Sequence, residues 1–388
     1  MRLAIGEGRT ALVTYCANVH PGERLAELWA ALDAAAAVRA RLGLERMAIG
    51  LWLSRPAQGE LGSSGALLAD ELAARDLEVF TMNGFPYGNF HAPVVKRAVY
   101  HPDWSTAERR GYTLALAEIL AGLLPPDLQD GTISTLPLGH REEKADGAAA
   151  LDQLCRLAVD LARLADRTGR RVRVLCEPEP GCLLETTRDA VEWWTAALPA
   201  AARRTGVPYD VVAAHLGICF DTCHQAVAFE DPAASLDALA AAGVPVGKMQ
   251  LSSALVIPAP RSPEGRAALA RFAEPRFLHQ VRARDGSALA GADDMDLTDA
   301  LPDSAWRIHF HVPIHRAAVG EVDTTRDFLR GALVWLRAPG RALPHLEVET
   351  YTWSVLPEGE RPSDTASLCA GIAAELAWVA AELTGGAA

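Results

Sequence analysis

Short apolar runs recur along the chain. Each leaves through polar or Gly/Pro-rich residues into an Ala/Leu-rich stretch with apolar positions three and four apart. The runs fall at 11–20, 47–54, 77–85, 131–138, 171–178, 216–224, 246–254 and 346–353, and the helix-like stretches include 23–43, 106–124, 148–169 and 324–337. Strands separated by helices pair in parallel, because each crossover returns the chain to the same end of the sheet. Near-continuous apolarity within the runs fits strands covered on both faces. Eight such units predict a closed (β/α)₈ barrel, and no Gly-rich dinucleotide fingerprint follows the first run to favour an open sheet.

One segment breaks the rhythm. Residues 255–306 are rich in Pro, Gly and acidic side chains, and a ninth strand-like piece, IHFHVPIHR, follows at 308–316. A barrel has no ninth place, so the segment reads as a long insertion in the seventh βα connection, a mobile cover folded back over the mouth. The chain, 1–388, is otherwise expected to form one domain.

Composition narrows the partners. The formal net charge is −12, from 37 basic and 49 acidic residues, which disfavours nucleic acid and anionic membranes and suits a bound cation. No stretch of eighteen apolar residues lacks a charge or a breaker, and the N-terminus lacks a signal-peptide pattern, so the expectation is a cytoplasmic protein without membrane insertion. The cysteine count of seven is odd, which argues against a disulfide framework; Cys219 and Cys223 read as packing. The oligomeric state, a homo-oligomer included, stays open.

Active sites of such barrels gather where the strands end. Glu177, Asp221 and Glu349 each close an apolar run. Three carboxylates converging on one mouth repel strongly unless a cation lies between them. His309 and His311, two apart in an extended segment, face one way and add imidazole. Oxygen with imidazole points to a divalent ion: Mn, Co, Zn or Mg. A helix N-cap is the competing role for Asp221. His20, His91 and His315 stand evenly between wall residue and ligand. Asn83, Glu179, Ser252 and Trp353 complete the expected substrate contacts, with Trp52, Phe85, Tyr87, Trp104 and Tyr351 as further aromatic candidates for the pocket wall.

Glu177-Pro178-Glu179-Pro180 resembles the E-P-K-P strand end of xylose isomerases, with Glu179 in place of the catalytic lysine. Gly217 to His224 resembles a strand of the apurinic-site endonucleases in that superfamily, which implies that Asp221 and His224 both bind metal. By the same resemblance Glu349, before Thr350, is a ligand, and His309/His311 match the D-x-H element. Gln250 stands where many members have a ligating His. The strings TYCANVHPGE, VFTMNGFPYGNFH, VYHPDW, GTISTLPLG, EPEPGCLLETT and HVPIH resemble, more narrowly, the metabolite-traffic protein E family of Ebo-type gene clusters (EboE), whose neighbours include a sugar-phosphate-cyclase-like enzyme.

These resemblances imply a metal-dependent isomerase or epimerase acting on a polyhydroxylated, sugar-like or cyclitol ketone through an enediolate, with Glu177 and Glu349 as the proton-transfer pair. A non-catalytic carrier of a metabolite and a metal-dependent phosphodiester hydrolase are the rival expectations.

Overall fold

A computed structural model describes residues 1–62 and 65–385. Eight strands run parallel: β1 (Thr10–Tyr15), β2 (Leu51–Trp52), β3 (Thr81–Asn83), β4 (Asp130–Thr135), β5 (Arg171–Cys176), β6 (Leu216–Asp221), β7 (Val246–Leu251) and β8 (His345–Val348). They pair in the order β1-β8-β7-β6-β5-β4-β3-β2, which is chain order with the last strand beside the first. At the other end of this order, a parallel bridge links Cys16 to Gly50. There the Gly50 N–H donates to Tyr15 O at 2.9 Å and the Ala17 N–H to Gly50 O at 2.7 Å. Arg2–Ala4 adds an antiparallel strand outside β1. Each strand coincides with one of the predicted apolar runs, three of them starting one residue earlier, and every residue of β6 is buried.

Helices follow the strands: Leu25–Arg41, Ala107–Leu123, Gly147–Thr168 and Arg326–Arg337 overlap the expected stretches, and Pro232–Ala241 and Thr365–Thr384 join them. Local chemistry fixes their ends. Asp146, for example, accepts from the N–H groups of Ala148 and Ala149, and Gly169 closes that helix in the left-handed region.

A charged pair sits among the strands. Lys248 Nζ lies 2.7 Å from Glu347 Oε2 with both side chains fully buried, and it also reaches Met82 O and Ser134 Oγ. Two buried charges are tolerable only with such close pairing. Gly50 provides the room, since a Cβ there would stand 1.5 Å from Glu347 Oε1.

The segment expected to be a mobile cover is instead built as a sheet. Leu255–Ile257, Val281–Asp285, Ala288–Ala292, Trp306–Ile308, Ala318–Val319 and Val322–Thr324 form a six-stranded antiparallel sheet, with the helix Pro263–Phe272 beside it. A two-residue hairpin at Gly286-Ser287, with Gly286 at φ +57°, turns the chain between its second and third strands. The ninth strand-like piece is regular only to Ile308; His309 to His315 run on as irregular chain.

The helix Thr365–Thr384 is long and apolar enough to cross a membrane by length and composition. Here it packs against Leu25–Arg41, burying Ile372, Leu376 and Val379. Its Glu375 accepts from Thr350 Oγ1 at 2.6 Å and from the Ile314 N–H at 3.1 Å.

Candidate metal centre

Asp221 ends β6 and caps the helix Thr222–Val227, so the expected alternative roles of cap and ligand meet in one side chain. Its Oδ1 accepts from the N–H groups of Cys223 (2.6 Å) and His224 (3.0 Å) and from Ser252 Oγ (2.7 Å). That leaves Oδ2 buried with no hydrogen-bond partner among the described residues, 4.0 Å from His224 Nε2 and 3.9 Å from His311 Nε2.

Three imidazoles converge beside it. Nε2 of His224 lies 3.2 Å from that of His309 and 3.4 Å from that of His311, and the latter two are 3.1 Å apart. On their other edges, His224 Nδ1 meets Pro178 O at 3.0 Å, His311 Nδ1 meets Glu349 O at 2.9 Å, and His309 Nδ1 meets the side-chain oxygen of Gln280. Carbonyl oxygens only accept, so each Nδ1 carries a hydrogen and each ring turns its Nε2 edge inward. Burial, then the neighbouring rings His224 and His311, holds His309 well below the usual imidazole range; burial brings His311 down to about 4. Three lone pairs facing one another repel. A tetrahedral ion bound at 2.0–2.1 Å separates its nitrogen ligands by about 3.3 Å, which the observed triangle matches. The residues therefore fit a divalent metal.

A second cluster shares Asp221. One carboxylate oxygen each from Glu177, Asp221 and Glu349 lie within 4.8 Å of one another. Burial pushes the Glu177 carboxyl well above the usual range, and the charges of Glu349 and Asp221 push it further; Glu349 is raised likewise by burial and by Asp221. Glu177 Oε2 has no hydrogen-bond partner among the described residues. Glu349 Oε1 is held by the amides of Asn18 (2.8 Å) and Asn83 (2.7 Å). An all-carboxylate set suits a harder ion than the imidazole set does.

Around these groups runs a cleft whose lining includes Asn18, Asn83, Tyr100, Glu177, Glu179, His224, His309, His311, Glu349 and Tyr351. Glu179, expected to touch substrate, lines it but is bonded to Tyr100 OH (2.8 Å) and Gln280 Nε2 (3.0 Å). Gln250 is buried on β7, in register with Asp221 and Glu347, and both its amide atoms lack partners among the described residues.

Other expected substrate contacts lie elsewhere. Ser252 is spent on Asp221. His20 is buried against Tyr15 OH at 3.1 Å, and His91 binds the Asn18 carbonyl at 2.8 Å, so both support the wall from behind. His315 falls outside the cleft because the chain has turned away after His311, and Trp353 is buried against Gly371 of the last helix. Sequence reasoning missed Asn18 and Gln280. Asn18 was visible as a polar residue in the exit of the first run, whereas Gln280 carried no signal in a segment read as loop.

Neither a family model nor a characterised protein sequence matches the chain. Solved structures do. A D-tagatose 3-epimerase-like protein aligns at TM-score 0.47 and 13% identity, over 93% of this chain and 95% of that one. The IOLI protein with a bound zinc atom aligns at 0.46 and 10%, over 95% and 98%. A xylose isomerase domain protein from Alicyclobacillus acidocaldarius aligns at 0.45 and 16%, over 96% and 100%. At these identities and scores the site has to be understood from its own geometry.

Proposed function

We propose that this chain is a cytoplasmic, divalent-metal-dependent isomerase or epimerase acting on a sugar-like or cyclitol ketone, on a single-domain (β/α)₈ barrel closed through the Cys16–Gly50 bridge. The mutual convergence of three imidazole Nε2 atoms, two of them beside an Asp221 oxygen without a partner among the described residues, carries the metal half of this reading. His224, His309, His311 and Asp221 would hold one ion, and Glu177, Asp221 and Glu349 a second or alternative position, with Gln250 in reserve. A bound ion would polarise a substrate carbonyl and acidify the adjacent C–H.

Glu177 and Glu349 stand just past the ends of β5 and β8 and are buried, with their proton affinity raised by burial and by neighbouring carboxylate charge, Asp221's included, which suits groups that take and return a carbon-bound proton. Asn18 and Asn83 fix the Glu349 carboxylate in place. The test is metal analysis of purified protein, then solvent-deuterium exchange into ketose and inosose substrates. Metal uptake with deuterium at the carbon beside the carbonyl supports the reading. Turnover without exchange rejects the proton-transfer pair.

One observation favours a second reading. Two ligand clusters sharing a carboxylate also suit two-metal phosphodiester hydrolysis. Against it stand the net charge of −12 and a cleft whose lining holds one lysine and no arginine. Nicking of abasic-site DNA by the metal-loaded protein would reverse the ranking.

A further inference from the structure

The cleft has two unlike walls. One is the polar wall of carboxylates and imidazoles described above. The other is supplied by the stretch after β3 and by the inserted sheet, and it consists of apolar side chains, chiefly Phe90, Val95, Val99, Phe277 and Leu278. Phe90, Phe277 and Tyr351 come from three separate segments and pack ring to ring, with centroids 5.2, 5.2 and 5.0 Å apart. Tyr351 also lies 4.5 Å from the His311 ring, so this aromatic cluster meets the imidazole centre directly.

The apolar wall offers a hydroxylated substrate almost nothing. Its one cation, Lys96, is paired with Asp294 of the inserted segment. The hydroxyls of Tyr100 and Tyr351 are directed to Glu179 and His309 on the polar wall. A sugar hydroxyl buried against Phe90, Val99 and Phe277 would lose its water without replacement, at a cost no nearby group offsets. A phosphate would meet no free cation.

We infer that the substrate carries an uncharged apolar body, alkyl or aryl, beside the oxygen pair presented to the metal; this rests on the metal-dependent reading above. The polyhydroxylated character is confined to the end at the polar wall.

Hydroxamates, which offer a metal two oxygens on a variable tail, make the test. Zinc- or manganese-loaded protein is titrated with acetohydroxamate, hexanohydroxamate and a four-carbon polyhydroxylated hydroxamate with and without a terminal phosphate. Each methylene buried against an apolar wall strengthens binding by about fourfold, so hexanohydroxamate should bind at least about tenfold more tightly than acetohydroxamate. In Phe277→Ser, and separately in the half-exposed Val99→Asn, that ratio should fall to within about threefold. Length-independent binding to metal-loaded protein, or preference for the polyhydroxylated or phosphorylated chelators, overturns the inference and leaves the metal site standing. Failure to take up metal at all overturns both.

Discussion

Gln280 and His309 are joined twice: the His309 N–H donates to the Gln280 carbonyl at 2.9 Å, and the His309 ring donates through Nδ1 to the Gln280 side-chain oxygen. The other half of the Gln280 amide faces three oxygens, on Glu179, Tyr100 and Pro180. That fixes which end of the amide is which, and so leaves Nε2 as the His309 nitrogen open to the proposed metal. Replacing Gln280 by Leu should leave the three imidazoles present and weaken metal binding by about 10–100-fold, measured by competition with a chromogenic chelator. An unchanged affinity would deny Gln280 this orienting role.

Metal binding should release protons. Burial and mutual repulsion keep Glu177 and Glu349 protonated above the usual carboxylate range in the metal-free protein. A cation must displace those protons, so affinity should rise with pH and fall as the solution is acidified. Calorimetric titration in buffers of different ionisation enthalpy reads the number released. A number that does not grow as the pH is lowered would mean that the acid cluster takes no part.

Glu177→Gln and Glu349→Gln separate chemistry from binding. Each should lower turnover by about 10²–10⁴-fold, the usual loss for one general base, and abolish deuterium exchange. Substrate KM should change far less. Equal losses in turnover and binding would assign both residues to holding metal alone.

Glu375 sets a pH dependence of stability. Burial raises its carboxyl from 4.5 to about 7. Between those values the folded chain keeps a proton that the unfolded chain has lost, so stability falls as pH rises through this window and levels off above it. Glu375→Gln keeps an acceptor for Thr350 and Ile314 and should flatten that part of the profile, with a gain on the order of 3 kcal/mol at pH 8. Chemical denaturation at pH 5 and 8 checks the sign.

The strands, and the strand-end acids that the fold gathers at one place, were legible because both rest on a strong contrast. Apolar runs bounded by polar exits gave β1 to β8, and an ionisable residue closing such a run, as at Glu177, Asp221 and Glu349, is too costly to be incidental. The inserted sheet was not legible. Its strands are three to five residues long or shorter, and Val281–Asp285 and Ala288–Ala292 are rich in Ala, Arg and Gly, with little β-branched pattern. Its one clear sign was the Gly286-Ser287 turn. His20, His315 and Trp353 were misplaced for a different reason: sequence proximity to a strand end says nothing of which way the chain turns afterwards.

Leu255 and Thr324 are register partners in the inserted sheet, and the Ala254 N–H donates to Thr325 Oγ1 at 2.8 Å. The intervening chain therefore departs and returns at one spot, like a drawer with a single opening. A short turn could bridge that spot and lift out His309, His311, Gln280 and Phe277 together, leaving β5, β6 and β8 with their three carboxylates. Two of the three imidazoles, the amide that orients one of them and part of the apolar wall thus lie in one inserted stretch of chain, while His224 stays with β6. Much of the softness of the proposed metal centre and of the shape of the cleft beside it is thereby set by a single stretch of chain with one point of entry.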